Sequence, residues 1–271
     1  MIDALPASRL AFDWTFDPAS ALVIVTLSVL WLWLVRRHPR WPRVRSAAAV
    51  AAIVAAVIAT QSGVATYDAS SLTAHVIQHI LLGMVVPVLA AASAPITLVL
   101  QAADPATRQV VRSALHHPMI RLLSRPLLGF AVFGGSIVVL MFSPLLDAAA
   151  RNGAVHLLVH VHIVFAGALF AWPLVGADPV PSRPGHGARL LIVLAAVPFH
   201  AFVGAALLTA GAPILDSYPS LADQRRAAGL LWGAGELLTV AVAGIVSTDW
   251  YRAEQRAGRR ADRRLDHDLA R

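Results

Sequence analysis

The sequence predicts an all-α polytopic membrane protein: a bundle of seven transmembrane helices with the N-terminus outside and the C-terminus inside. Three observations carry this. Of 271 residues, 58% are hydrophobic and only 14% charged, whereas soluble chains are nearer a quarter charged. The apolar residues fall in blocks of the ~20 that a bilayer core demands. The arginines, finally, alternate from one connection to the next.

The apolar blocks run approximately 19–35, 46–64, 72–92, 127–146, 153–175, 188–210 and 227–247. The third is followed at once by a second apolar run, Pro95 to Leu100. A straight helix from Leu72 to Gln101 would be ~45 Å long, beyond the ~30 Å hydrocarbon core, so a break is expected near Ala94-Pro95. Pro87 is a candidate for an earlier kink. Val110, Val111, Ala114 and Leu115 recur at helical spacing among Arg108 and Arg112, which predicts a short amphipathic helix on the inner face, ending at Pro118. The tail mixes signs without apolar periodicity and reads as a solvated helix or as disordered. The organisation is therefore one seven-span membrane domain, residues 1–250, and a charged cytoplasmic tail, 251–271, with no internal repeat.

Orientation follows from the positive-inside rule. Arg36, Arg37, Arg40, Arg43 and Arg45 follow span one; Arg108, Arg112, Arg121 and Arg125 follow span three; Arg183 and Arg189 follow span five. The opposite connections carry Asp3, Asp13 and Asp17, then Asp68, Asp147, Asp216 and Asp223. All 22 basic residues are Arg. Because they cluster beside span ends, topology and anionic lipid account for them, and nucleic acid is not the expected partner. There is no Cys, which excludes disulfides, thiolate relays and iron–sulfur clusters. No apolar core precedes span one, so no cleavable signal peptide is expected.

Two histidine pairs at i,i+4 spacing, His75/His79 and His156/His160, lie inside these spans. Hydrocarbon is a costly place for imidazole, and the spacing lays both rings of a pair on one helix face. From the outer boundary, His75 and His156 lie ~5 Å down, His79 and His160 ~10 Å, and His200 and Glu236 ~15 Å. Six ionisable groups on four helices thus converge on the outer half. Facing pairs would make an intramembrane metal site, and neutral imidazole suits copper, zinc, iron and nickel. Glu236 offers a ligand oxygen or an acceptor for a ring N–H, as does Gln78. Met141, in the outer half of span four, offers a soft thioether or ordinary packing. Asp68 is placed to guide an ion inward but reads first as a solvated loop carboxylate. His162, ~200° round the helix from His160, is expected to bond elsewhere. The plain alternative for every ring is a hydrogen bond to a neighbouring helix.

At these residues a family resemblance emerges. SLTAHVIQHILL from Ser71 resembles the H-x-x-Q-H signature of the multi-span CtaG-type cytochrome c oxidase assembly factors. HLLVH from His156, followed by GALFAWPLVGADP from Gly167, is similar to that family's paired histidines and W-P-L loop. PFHAFVGA from Pro198 resembles its sixth-span motif, and Asp223-Gln224 with GLLWGAGE from Gly229 resembles its D-Q…W…E segment. The resemblance covers roughly residues 65–247. It implies a bacterial inner-membrane assembly factor, not an enzyme, delivering copper to a haem–copper oxidase. By resemblance His75, His79, His156, His160 and His200 are candidate copper ligands and Glu236 a ligand, supporting group or proton partner. The implied partners are a periplasmic copper donor, a copper-containing oxidase subunit and membrane lipid, with a homo-oligomer open. Two other readings are a haem-binding membrane cytochrome and a copper or proton transporter. The H-E-x-x-H motif of an intramembrane metallohydrolase is absent.

Overall fold

The computed structural model describes residues 7–181 and 183–269; Asp3, counted above among the outer-side acids, lies outside them. Among the described residues there are helices and no strands. In chain order these are α1 (Ala7–Phe12), α2 (Pro18–Arg37), α3 (Arg43–Gln61), α4 (Gly63–Tyr67), α5 (Leu72–Ile80), a π-helical turn (Leu81–Val85), α6 (Val86–Ser93), α7 (Pro95–Ala102), α8 (Pro105–His116), α9 (Pro118–Leu123), α10 (Pro126–Phe142), α11 (Leu145–Arg151), α12 (Gly153–Val175), α13 (His186–Thr209) and α14 (Leu221–Leu269). Among the described residues six helical stretches are long and apolar enough to cross a bilayer, and α10 with α11 makes a seventh if that bent pair is one span. The protein is an all-α polytopic membrane protein.

Span four departs from the expected 127–146. Its helix stops at Phe142, and α11 leaves at 72°. The cause is local: Ser143 precedes Pro144 and is extended, φ −133° and ψ 167°, as the proline ring requires of its predecessor. Span three breaks where Pro95 demands it. Ala94 is left-handed, φ 56° and ψ 55°, a conformation costing ~1–2 kcal/mol without the freedom of glycine. The loop after α12 holds that break. The Asp178 carboxylate accepts from Ile96 N (3.2 Å), Thr97 N (2.7 Å), Thr97 Oγ1 (2.7 Å) and Trp172 Nε1 (3.1 Å).

Pro87 acts one step earlier than a kink. Lacking an N–H, it cannot bond the Gly83 carbonyl, and the chain widens into the π turn, closed by Val86 N–H on Leu81 O. The freed Gly83 carbonyl abuts Gly167 on α12, where any Cβ would overlap it. This close approach seats α12 against the π turn and α6, and so brings the rings of the two histidine-bearing helices within reach of each other. α13 packs chiefly on α14, while α2 turns most of its apolar surface outward, Leu22, Val25 and Leu27 among it. No residue of α8 is buried, as its amphipathic pattern predicts. α14 continues as one helix from the membrane through the charged tail to Leu269.

Candidate metal centre

The histidine-bearing ends of α5 and α12 are fixed by polar caps. Ser71 Oγ accepts from Ala74 N (3.3 Å), and the Asp223 carboxylate, reaching from α14, accepts from Leu72 N (2.7 Å) and Thr73 Oγ1 (2.6 Å). A carboxylate against the first amides of a helix is favourable on hydrogen-bonding and dipole grounds alike. Gln224 beside it accepts from Ile214 N (2.8 Å) and donates to Leu207 O (3.0 Å). The Asp-Gln pair is thus a structural clasp. Asn152 Oδ1 caps α12 through Ala154 N (2.9 Å) and Val155 N (3.2 Å).

With both helices anchored, four imidazoles meet. Ring centroids lie 4.0 Å apart for His75–His79 and 4.1 Å for His156–His160 along each helix, and 5.7 Å for His75–His156 and 6.0 Å for His79–His160 across. Asp68 closes the acidic end, its Oδ2 3.5 Å from His156 Nε2. Ligand atoms of Asp68, His156 and His160 all lie within 4.8 Å of one another. Three buried ring nitrogens, Nε2 of His75, His79 and His156, have no hydrogen-bond partner. Buried polar atoms are nearly always paired, so these nitrogens are open to a ligand, and among the described residues the ligand atoms close enough to share one ion are those of Asp68, His156 and His160. Neutral imidazole nitrogens with a carboxylate suit a borderline transition-metal ion.

Neighbours orient the rings. Tyr218, in the α13–α14 connection, donates its hydroxyl proton to the Asp68 carbonyl (2.8 Å) and lies 3.2 Å from His75 Nδ1. With its one proton committed, that hydroxyl accepts from His75 Nδ1–H, which leaves the lone pair on Nε2. Gln78 donates to Ala59 O (2.9 Å), so its Oε1, 2.9 Å from His160 Nε2, accepts from that ring. His160 therefore carries its lone pair on Nδ1. Gln78 does what its position between the paired histidines allows: it holds a ring.

Asp68 corrects the expectation of a solvated loop carboxylate. It is only 5% exposed, covered by the Tyr218 contact and the His156 ring, and burial pushes its carboxyl above the usual carboxylate range despite the His156 charge nearby. Burial likewise raises the Tyr218 hydroxyl, with Asp68 the next contributor. Tyr218 is the residue that spacing could not reveal, since its loop finds the site only through tertiary folding.

His200 stands apart from the four. Its ring packs on Gly235 of α14, where a Cβ would lie 2.5 Å from the ring carbon, and 6.3 Å from the Phe133 ring; no ring contact or hydrogen bond joins it to the quartet among the described residues. Glu236, half-buried, makes no hydrogen bond or ion pair among the described residues. Met141 is packed in the apolar core with Leu72 and Val76. Met84, instead, lines a cavity of about 40 Å³ beside His79. His162 bonds Ser136 Oγ at 2.7 Å, away from the quartet.

Paired imidazoles facing each other from two helices define a polytopic membrane protein built around an intramembrane histidine cluster. The chain belongs to the cytochrome c oxidase caa3 assembly factor (Caa3_CtaG) family, whose profile matches residues 26–253. It is 32% identical over 278 residues to an uncharacterized protein of Mycobacterium leprae, covering 95% of this chain and 42% of that one. Uncharacterized proteins of Mycobacterium bovis and Mycobacterium tuberculosis are each 30% identical over 284 residues, with 97% of this chain and 43% of theirs covered. The chain thus spans less than half the length of these relatives. No solved structure matches.

Proposed function

We propose that this assembly factor binds copper as cargo at His75, His79, His156 and His160, with Asp68 at the entrance, and delivers it to a nascent haem–copper oxidase. The observation that carries the reading is the cluster of Asp68, His156 and His160, whose ligand atoms lie within 4.8 Å of one another against the rings of His75 and His79. With no Cys in the chain, copper is held by imidazole, which accommodates Cu(II) or Cu(I) at low coordination number.

The acidic end, bearing Asp17, Asp68, Asp147 and Asp223, faces the periplasm of a bacterial cytoplasmic membrane, so the N-terminus is outside and the charged tail is cytoplasmic. A periplasmic donor delivers the ion at Asp68 and His156, whose side chain is 20% exposed. The ion then moves inward by ligand exchange, each imidazole replacing another of similar strength, and leaves laterally to an oxidase subunit. The role is non-catalytic. A haem reading is disfavoured because the i,i+4 spacing lays both rings of each pair on one helix face, whereas one haem takes a ligand from each side.

Metal analysis of the purified protein tests this. The wild type loaded at neutral pH retains copper, and the quadruple change of His75, His79, His156 and His160 to Ala loses both the copper and oxidase assembly in cells. Wild-type protein that takes up no copper overturns it.

A further inference from the structure

Two small cavities lie side by side deeper in the bundle. One, about 40 Å³, is lined by His79 and the other, about 30 Å³, by His200; Met84 and Phe133 wall both. Met84 sits on the π turn five residues beyond His79. His200 is 1% exposed, and neither of its ring nitrogens has a hydrogen-bond partner among the described residues. A buried imidazole with neither nitrogen satisfied stands out as clearly as the quartet's orphans.

We propose that Met84 and His200 form a second, inner metal station, distinct from the four-histidine centre, that takes a bare monovalent soft cation, Cu(I), received by way of His79. The inference rests on the reading of the quartet as a copper-loading site and adds where the ion goes next. Three features select this class of ion. The donor pair is a thioether and an imidazole, a soft set that favours Cu(I). Each cavity has room for about one water-sized body, so the ion enters without a hydration shell. No carboxylate lines either cavity, and the desolvation cost grows with the square of the charge, so a single charge is tolerated where a double one is not. The wall that Met84 shares makes the step from one cavity to the next a ligand exchange, with no change of oxidation state.

The chain's composition makes the test sharp. It has no Cys and four Met, so any copper–sulfur scattering must come from a methionine. The 271-residue chain in detergent micelles is loaded with Cu(I) under reducing conditions and examined by X-ray absorption and copper stoichiometry. The expected result is a copper–sulfur shell in the wild type that is absent in Met84→Leu, with one equivalent fewer copper in Met84→Leu and in His200→Leu. The shell persists in Met141→Leu and, once loading has reached equilibrium, in the quadruple quartet variant, which slows the route by way of His79 without removing the station. Leucine keeps the volume of Met84, and undiminished nitrogen-only copper at the quartet reports that the variant is folded. A wild type with no sulfur shell, or a shell that survives Met84→Leu, overturns the inner station while leaving the quartet reading intact. A quartet variant with unchanged stoichiometry and shell overturns the quartet reading, and the inner station stands alone.

Discussion

The two ends of the bundle bury polar groups in opposite ways. At the arginine-rich end, Asp178 accepts four hydrogen bonds, and Arg189, 1% exposed, donates to Leu174 O and pairs with Asp249 at 2.9 Å. Arg183 bonds the Gly176 and Asp178 carbonyls, and the atoms without partners at this end, His38 Nδ1, Trp41 Nε1, Arg108 Nε and Arg183 Nε, are scattered over separate segments. At the histidine end, backbone caps are equally complete, yet Nε2 of His75, His79 and His156 has no hydrogen-bond partner among the described residues. Satisfied groups at the first end hold a broken helix and a sharp turn. The unpartnered ring nitrogens at the second do not stabilise the bundle, and they differ from those at the first in being clustered on two facing helices.

That contrast can be broken from either side. The largest stability effect should come from Asp178→Ala, which strands Ile96 N, Thr97 N, Thr97 Oγ1 and Trp172 Nε1; a loss of ~3 kcal/mol is expected, read as a lower melting temperature in micelles. Copper stoichiometry of the folded fraction should stay unchanged. At the other end, His75→Ala with His156→Ala should weaken copper by more than ~100-fold, beyond the usual cost of losing a supporting group, while the apo protein loses only the ~2 kcal/mol of the cavity left by the buried His75 ring. Isothermal titration with a competing chelator reads the first and thermal melting the second.

Finer changes sharpen it. Tyr218→Phe removes the acceptor that fixes His75 and should weaken copper by ~10–100-fold, at a stability cost of ~1 kcal/mol. Asp68→Asn should separate function from stability. The Asp68 carboxyl is raised by burial, so its ionised form opposes folding: no penalty below the unfolded carboxylate range, and the full penalty once pH exceeds the raised value. At neutral pH the apo variant should therefore melt higher than wild type, by ~2–4 °C for each kcal/mol relieved. The gain should vanish in acid, and copper uptake should slow. An apo variant less stable than wild type at neutral pH would show that Asp68 is structural.

What the sequence made legible follows from helix geometry. The i,i+4 spacing put His75 with His79 and His156 with His160, and counting residues along spans put the two pairs at one height. The break at Pro95 was equally local. Height, however, carries no azimuth. His200 and Met141 were counted into the outer half, but His200 turns toward Gly235 and Phe133, and Met141 into the core beside Leu72. Asp68 and Tyr218 were hidden for a different reason: a loop residue is buried or oriented only by tertiary contact, here between the α4–α5 and α13–α14 connections. Span four was drawn too long because hydropathy continues past Ser143-Pro144, where the backbone cannot.

The central claim is that imidazoles from two separate helices hold one ion together. Pulsed electron paramagnetic resonance of the full chain with one equivalent of Cu(II) addresses it directly. The account predicts nitrogen couplings from several imidazoles in the wild type, diminished both by the His75→Ala/His79→Ala pair on α5 and by the His156→Ala/His160→Ala pair on α12. Couplings that survive removal of either helix's pair unchanged, or a spectrum of hydrated copper alone, would contradict it.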